Sequence, residues 1–535
     1  MTRCPRSSVA RDRVRRLAIT GAAAVALSVV AGACASRPSP DVPVRIDPVA
    51  LPFPAIEVEI PEPAGRVALT RLVDSLVQDT TFRMAHWGIL IMDPDVGDTL
   101  VSLNADKLFM PASNQKLVTG ATALTLLGPT YRWRTPVLLR GTVRGGTFRG
   151  DVVLVGSGDP TWSEAFHDDD PLAAFTPIAD ALAARGIRRI TGRIVAEGDA
   201  FPDASYGFGW GWDDFDFGYS AGIDELQFNE GVYRVVVHPG ARVGAPARAR
   251  TLPLAAYPRI TVQVTTRAAD DTAQARTAPL EVLSDSVAGT VLVRGTVPMG
   301  DSVVITRAYR HASDAARDAL RTALVARGIR VTSGAGARAD ARTDTLLVLE
   351  SPPLTEVHRR MQKPSQNQVA ETLFKTMGRE ITGVGTADSA RAVVERQLAA
   401  WGIGREGAAV RDGSGLSRHD YLSPRAIVRL LTIMIGQPTF ETFHAALPVA
   451  GVDGTIASRM RGTPAEGNLR AKTGTLDKAR SLSGYVMTRD GHRLVFSMLC
   501  NNWVGSVRDV ERVQDAIGAY LAGVSMDDLR LALPR

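Results

Sequence analysis

The stretch PASNQKLVTG, residues 111–120, places a serine three residues before a lysine at the start of a predicted helix. Residues three apart on a helix lie on one face, so the hydroxyl of Ser113 and the amine of Lys116 can meet. Two interpretations are open at this point. Ser113 is either a helix cap beside an ordinary surface lysine, or a nucleophile beside its base. The second interpretation requires partners from elsewhere in the chain.

Two further short motifs follow along the chain. The segment KPSQNQVAE contains Ser365, Gln366 and Asn367, and LRAKTGTLDKAR contains the tripeptide Lys-Thr-Gly at residues 472–474. Ser-x-x-Lys, Ser-x-Asn and Lys-Thr-Gly in this order resemble the signature of penicillin-binding proteins and related serine β-lactamases. The predicted settings agree, because the first motif begins a helix, the second lies between helices, and the third lies on a strand followed by a hairpin.

Four longer segments resemble one branch of these enzymes, the low-molecular-mass class C penicillin-binding proteins of the D-alanyl-D-alanine carboxypeptidase/endopeptidase family. They are VGSGDPTW at 155–162, DDFDFGYSAGIDELQFNEG at 213–231, RDGSGLSRHDYLSP at 411–424 and LPVAGVDGTIASRM at 447–460. The resemblance extends from about residue 65 to 525. The wide separation of Ser113 from Ser365 also fits, because this family carries an insertion between its first and second motifs.

The resemblance implies an α/β (α+β) fold of the penicillin-binding/β-lactamase type, with an antiparallel sheet flanked by helices and interrupted by a β-rich insertion. The residue pattern agrees, because short β-branched runs alternate with Gly-, Asp- and Pro-rich turns across the middle of the chain. The expected parts are an export signal at 1–34, a Pro-rich tether at 35–64, a catalytic domain from 65–140 and 345–525, and an inserted domain at 141–344.

A serine hydroxyl is a weak nucleophile at neutral pH and requires an adjacent base. We expect Ser113 to be the nucleophile and Lys116 the base. Burial and nearby cations such as Lys472 are expected to lower the pKa of Lys116, so that part of it is neutral. In this arrangement Ser365 relays a proton to the leaving amine, and Asn367 orients the substrate amide and the lysine.

Substrate binding is expected along the strand that carries Lys-Thr-Gly. Lys472, Thr473 and Thr475 would hold the terminal carboxylate of the substrate by charge and hydrogen bonds. The backbone N–H groups of Ser113 and Thr475 would form the oxyanion hole. The expected reaction forms an acyl-enzyme with release of D-alanine and then hydrolyses it. No metal or organic cofactor is expected, because the eight histidines show no ligand-like spacing.

The expected partners are peptidoglycan stem peptides as substrates and β-lactam antibiotics as covalent inhibitors. Nucleic acid is not expected, because the first 34 residues hold six arginines against one aspartate and account for most of the net charge of +6. That arginine-rich start and the Ala/Val-rich run behind it predict export to the periplasm or cell envelope. The run ends in VAGAC, which resembles a lipoprotein site with Cys34 as a lipidated membrane tether. Ordinary cleavage after Ala33 or Ala35 is the alternative.

Three other functions remain open: a β-lactamase or esterase on the same fold, a catalytically idle envelope scaffold, and a transpeptidase. Efficient class A β-lactamases use a glutamate to activate water, and Glu225, the best candidate, lies in the insertion without such a role.

The glycine-rich turn with Asp412 and Ser414 is either structural or part of the pocket wall. The aromatic segment FGWGWDDFDFG at 208–218 either stacks on sugars or packs the insertion against the main domain. Cys500 is expected to be a small core residue.

Overall fold

The computed structural model describes residues 65–254, 256–285, 289–338 and 340–530 of the 535-residue chain. The predicted export signal, the predicted tether and the predicted lipidation site at Cys34 lie outside the described residues. Within the described ranges, no helix combines the length and the apolar composition that crossing a membrane requires.

The first elements of the described chain are a helix, a hairpin and a second helix. They are α1 (Gly65–Val77), β1 (His86–Asp93), β2 (Asp98–Leu103) and α2 (Gln115–Leu126). Ten of the twelve residues of α2 are buried. The helix that begins beside Ser113 therefore runs through the protein interior.

The middle of the chain is rich in strands. Its elements are β3 (Arg134–Arg144), β4 (Thr147–Val155), α3 (Thr176–Ala184), β5 (Arg189–Thr191), β6 (Ile194–Glu197), β7 (Val232–His238), β8 (Arg248–Leu252), β9 (Arg259–Arg267), α4 (Thr272–Thr277), β10 (Glu281–Asp285), β11 (Thr290–Pro298), β12 (Val303–Ala308), α5 (Ala312–Ala326), β13 (Arg330–Thr332) and β14 (Thr343–Glu350). They form a six-stranded sheet in the order β13-β5-β4-β3-β14, with β6 beside β4, and two three-stranded sheets, β10-β11-β9 and β12-β7-β8.

The last part of the chain returns to helices, continues with three consecutive antiparallel strands and closes with two helices. Its elements are α6 (Leu354–Gln362), α7 (Asn367–Thr382), α8 (Ala387–Ala400), β15 (Ala408–Ala409), β16 (Tyr421–Leu422), α9 (Pro424–Ile435), α10 (Phe440–Ala446), β17 (Arg470–Leu476), β18 (Ala479–Met487), β19 (Arg493–Asn501), α11 (Val507–Gly523) and α12 (Met526–Arg530). The strand β17 carries the Lys-Thr-Gly motif.

Both ends of the described chain build one five-stranded antiparallel sheet, in the order β17-β18-β19-β1-β2. The side chains of β19 alternate between two apolar cores. Val495 and Leu499 face the core that includes α2, α7 and α9, whereas Phe496, Met498 and Cys500 face the core that includes α1 and α11. A strand that is buried on both faces has apolar residues at consecutive positions, which explains the nearly continuous apolar composition of the segment LVFSMLC.

The strands β3 and β14 connect the main sheet region to the strand-rich middle of the chain. They pair antiparallel from Arg134 opposite Glu350 to Arg140 opposite Thr343. The chain therefore leaves and re-enters the main part at neighbouring positions. This pairing allows a long middle segment with its own apolar core to separate Ser113 from Ser365 in sequence without separating them in space.

Candidate active site

Ser113 lies in a tight turn that leads directly into α2. Residues Ala112–Asn114 form one turn of 3₁₀ helix, in which Ala112 adopts a left-handed φ of 47°. Such a conformation is uncommon for an L-residue and is held by surrounding structure. Gly415 is part of that structure, because a Cβ atom there would lie 1.8 Å from the backbone oxygen of Ala112. The side-chain amide of Asn114 donates to the carbonyl of Lys472 at 2.8 Å.

Lys116 is fully buried one helical turn after Ser113. Its Nζ lies 2.8 Å from Oγ of Ser113, 2.6 Å from Oδ1 of Asn367 and 2.8 Å from the carbonyl oxygen of Ser414. A neutral amine has two N–H donors and one lone pair. The amide and carbonyl oxygens can only accept, so they match the two donors and leave the lone pair for the hydroxyl proton of Ser113. The geometry therefore fits a deprotonated base.

Burial controls the protonation of Lys116. It lowers the pKa of Lys116 from 10.5 to about 7, because an apolar environment disfavours the ammonium form. The charges of Asp412, Glu371 and Asp420 act in the opposite direction and raise this pKa. We expected the charge of Lys472 to help lower it. In the structure burial is the lowering cause, and the charge of Lys116 in turn lowers the pKa of Lys472.

Three buried carboxyl groups hold the glycine-rich loop, residues 411–417, against Lys116. Glu371 on α7 accepts the N–H of Ser414 at 2.7 Å. Asp412 accepts two further N–H groups of the loop, each at 2.7 Å, and Asp420 accepts one at the start of the loop at 2.6 Å. These bonds fix the carbonyl of Ser414 that contacts Lys116, and they satisfy backbone donors that are otherwise costly to bury.

Sequence reasoning missed Glu371 and Asp420. The signal for Glu371 was available, because it follows Asn367 by four residues and lies on the same face of α7. Asp420 carried no such signal. Burial and the charge of Asp412 raise the pKa of Glu371 to about 8 and raise that of Asp420 well above its usual value. The raised pKa reduces the ionised fraction of Glu371 near neutral pH, so Glu371 opposes the low pKa of Lys116 less than a fully ionised carboxyl would.

The Lys-Thr-Gly motif occupies β17, the edge strand of the main sheet. Lys472 is fully buried, and its Nζ donates to Oγ of Ser365 and to the carbonyl of Thr473, both at 2.8 Å. Burial and the charges of Lys116 and Arg480 lower its pKa well below the usual value. Gly474 is required by close packing, because a Cβ atom there would lie 2.5 Å from a backbone oxygen of the serine turn.

The Ser-x-Asn motif lies in the connection between α6 and α7. Ser365 adopts a left-handed φ of 66°, and Asn367 is the first residue of α7. The side chain of Gln366 caps this helix by accepting the N–H of Gln368 at 3.2 Å. Asn367 accepts from Lys116 through Oδ1 and donates through Nδ2 to the carbonyl of Tyr219 at 2.7 Å. The strand-rich middle of the chain therefore helps to orient this amide.

The seven residues predicted for the site converge on one cavity of about 620 Å³. Direct hydrogen bonds link Ser113, Lys116 and Asn367, and another links Ser365 to Lys472. Five of the seven residues line the cavity directly: Ser113, Ser365, Asn367, Thr473 and Thr475. Lys116 and Lys472 lie behind this surface, in contact with its hydroxyl groups.

The two threonines of β17 already have side-chain partners. Oγ1 of Thr473 donates to Oγ1 of Thr455 at 2.7 Å, and Oγ1 of Thr475 accepts from the guanidinium of Arg480. Thr455 and Arg480 also line the cavity. The wall on this side therefore presents hydroxyl groups and a cation, which suits an anionic substrate group.

The aromatic segment at 208–218 has mixed roles. Trp210 is buried and donates its indole N–H to Asp412 at 2.9 Å, whereas Trp212 is 84% exposed. Glu225 packs closely against Gly156 in the middle of the chain and is not among the residues that line the cavity. Across the described ranges, no group of three or more His, Cys, Asp or Glu side chains is arranged to hold a metal ion.

Comparison with known proteins places this chain in a family. The D-Ala-D-Ala carboxypeptidase 3 (S13) family matches residues 69–524. A D-alanyl-D-alanine carboxypeptidase from Actinomadura sp. (strain R39) is 34% identical over 481 residues, which cover 86% of each chain. The crystal structure of penicillin binding protein 4 (dacB) from Haemophilus influenzae has a TM-score of 0.71 at 22% identity and covers 84% of this chain and 98% of that chain.

A second crystal structure of the Haemophilus influenzae protein, complexed with a novel beta-lactam (CMV), has a TM-score of 0.66 at 21% identity and the same coverage. The structural matches confirm the predicted fold class. The family match and the relative from Actinomadura confirm the predicted family and its enzyme class. The chain belongs to the D-Ala-D-Ala carboxypeptidase 3 (S13) family.

Proposed function

We propose that the chain is a serine-type D-Ala-D-Ala carboxypeptidase that acts on peptidoglycan stem peptides through an acyl-enzyme on Ser113. The observation that carries this proposal is the contact between Ser113 and the buried amine of Lys116, whose two other contacts are acceptors only. A helix cap beside a surface lysine would not bury the lysine or surround it with acceptors. Family membership supports the same activity.

In the acylation step, Oγ of Ser113 attacks the carbonyl carbon of the penultimate D-alanine while Lys116 takes the hydroxyl proton. The negative charge develops on the former carbonyl oxygen. The backbone N–H groups of Ser113 and Thr475 are proposed to stabilise it, the second from the edge strand β17. The C–N bond then breaks, and Ser365 passes a proton to the departing amine of D-alanine. Water later hydrolyses the ester, which regenerates Ser113.

We assign substrate binding to β17 and to Asn367. Lys472, Thr473 and Thr475 hold the terminal carboxylate of the substrate, with Arg480 adding positive charge behind Thr475. Asn367 is fixed on both sides, by Lys116 and by the carbonyl of Tyr219, and presents its amide to the substrate backbone. Groups held in this way lose little freedom when the transition state forms.

We propose that the catalytic domain comprises residues 65–140 and 345–525 and that residues 141–344 are an inserted domain. The five-stranded sheet and the separate apolar core of the middle segment support this division. We also propose that β-lactams acylate Ser113 and that the protein works in the periplasm or cell envelope. The lipid tether at Cys34 stays a prediction from the sequence.

Endopeptidase action is a second candidate, because the same acyl-enzyme forms when a cross-linked stem peptide is the donor. A β-lactamase is less well supported, since Glu225, the glutamate singled out from the sequence, lies away from the cavity. An idle scaffold is disfavoured by the buried pair Lys116 and Lys472. Two buried amines with lowered pKa values destabilise a fold and are retained where chemistry needs them.

The test is intact-protein mass spectrometry after incubation with benzylpenicillin, followed by a D-alanine release assay on a stem pentapeptide. The wild-type protein should carry a stable adduct on the Ser113 peptide, and Ser113→Ala should carry none. Hydrolysed penicillin without an adduct would favour a β-lactamase. Folded protein that shows neither adduct nor hydrolysis would favour the scaffold and contradict the proposed nucleophile.

A further inference from the structure

A second cavity, of about 500 Å³, lies beside the catalytic motifs and has no role in the mechanism above. Three basic side chains line it: Arg359 on α6, Lys363 just after α6, and Arg470 at the start of β17. The acidic side chain that faces them from the cavity wall is Asp453, which pairs with Lys363 at 2.6 Å. We refer to this feature as the basic cavity.

Two of the three positive charges of the basic cavity have no ion-pair partner in the described part of the chain. Within residues 65–530, apart from the few undescribed positions, neither Arg359 nor Arg470 forms an ion pair. Burial lowers the pKa of Lys363, and Asp453 acts to raise it. The charges of Arg470 and Arg359 lower this pKa further, so these groups share one electrostatic environment. The C-terminal end of α6 favours basic residues on that helix, but it does not explain Arg470, which comes from β17.

We propose that the basic cavity binds the phosphate group of a phosphate monoester. Three positive charges less the charge of Asp453 leave a net charge of two, which matches the roughly −1.5 to −2 of a phosphate monoester near pH 7. Two guanidinium groups and an ammonium group supply the donors that phosphate oxygens accept. A carboxylate, with a single charge, would leave the cavity half neutralised.

The rest of the wall suits the organic part of such an ester. The hydroxyl-bearing residues Thr355 and Thr442 lie beside the basic groups, and aliphatic side chains, including Val449 and Val452, complete the lining. The volume of about 500 Å³ exceeds what a bare phosphate ion needs. The cavity can therefore hold a phosphate together with a small polar or aliphatic group.

The basic cavity is joined to the catalytic cavity by the loop at 447–456. Lys363 donates to the carbonyl of Leu447 at 2.7 Å, and its own carbonyl accepts the N–H of Thr455 at 3.2 Å. Thr455 lines the catalytic cavity and accepts from Thr473. A ligand held by Lys363 thus contacts the segment that positions one wall of the proposed active site.

The test is isothermal titration calorimetry of the full chain with glycerol 3-phosphate, and with succinate as a dianion that lacks phosphate. We expect saturable binding of glycerol 3-phosphate at one site, and at least a tenfold weaker Kd in Arg470→Gln. If that change disturbs β17, Arg359→Gln on the exposed face of α6 should show the same loss. Arg396→Gln, which removes an exposed charge from α8, is the matched control and should bind like the wild type.

Three results would overturn the proposal. The first is that the wild type does not bind glycerol 3-phosphate, and the second is that both Arg359→Gln and Arg470→Gln bind it as tightly as the wild type does. The third is that the wild type binds succinate as tightly as glycerol 3-phosphate. Co-sedimentation with phosphatidic acid vesicles distinguishes the source of the ester. Sedimentation that is lost in Arg470→Gln identifies a lipid headgroup. Binding of glycerol 3-phosphate without sedimentation identifies a soluble ester.

Discussion

The protonation of Lys116 gives a quantitative prediction for the rate of acylation. With a pKa of about 7, about half of the Lys116 amines are neutral at pH 7. An ordinary lysine, with a pKa near 10.4, would be neutral in roughly four molecules in ten thousand. Burial therefore increases the reactive form about a thousandfold, which corresponds to ~4 kcal/mol. A general base must be deprotonated to act, so the rate must rise with pH.

The assay is the second-order rate constant of acylation by benzylpenicillin, followed by mass spectrometry across about pH 5.5 to 9. We expect a tenfold rise per pH unit below a midpoint near 7 and a plateau above it. Thermal unfolding at each pH provides the control for an intact fold. A rate that is the same at both ends of this range, or one that still rises tenfold per pH unit up to about pH 9 without a plateau, would refute the assignment of buried Lys116 as the base.

Three substitutions test the surroundings of the base. Asp412→Asn should move the midpoint of the acylation profile to lower pH, because the charge of Asp412 is the largest of those that raise the pKa of Lys116; an unchanged midpoint would argue against this coupling. Gly474→Ala should cost ~1–3 kcal/mol of stability and abolish the penicillin adduct, since its Cβ would lie 2.9 Å from the backbone nitrogen of Ser113. Gly436→Ala should leave both unchanged, since its Cβ would make only an ordinary contact, 3.7 Å from the carbonyl oxygen of Ile433. Trp210→Phe removes an N–H that a buried carboxylate accepts, so denaturant unfolding should report a loss of ~1–3 kcal/mol, and no loss would contradict that role.

The residue types of the proposed catalytic site could be proposed from the sequence because the chemistry restricts them. A nucleophile, its base and a cationic substrate clamp leave few choices of side chain, and each of the three motifs is local. The positions of Ser113, Ser365 and Lys472 in a helix start, an interhelical loop and a strand could therefore be inferred one by one. Their convergence rests on the pairing of β1 with β19, which the order of motifs implies but does not specify.

The supporting groups were harder to predict because several of them are backbone atoms. Lys116 contacts the carbonyl of Ser414, and Asn367 contacts the carbonyl of Tyr219. Every residue type has a backbone carbonyl, so the pattern of side chains in the sequence does not indicate these contacts. Glu371 was the exception, since helical spacing from Asn367 could have revealed it. The strand order of the middle sheets, including the parallel pair β9 and β11, was likewise not available from local patterns.

The middle segment of the chain contributes hydrogen bonds to the candidate active site. Trp210 donates to the buried Asp412, and the carbonyl of Tyr219 accepts from Asn367. Removing the segment would leave a buried carboxylate and a site amide each short of one hydrogen-bond partner, and such losses cost about 1–3 kcal/mol apiece. Because Asp412 and Asn367 are also the groups that set the charge and position around Lys116, the loss would reach the base itself. The middle segment and the proposed catalytic motifs therefore have to be considered as one structural unit.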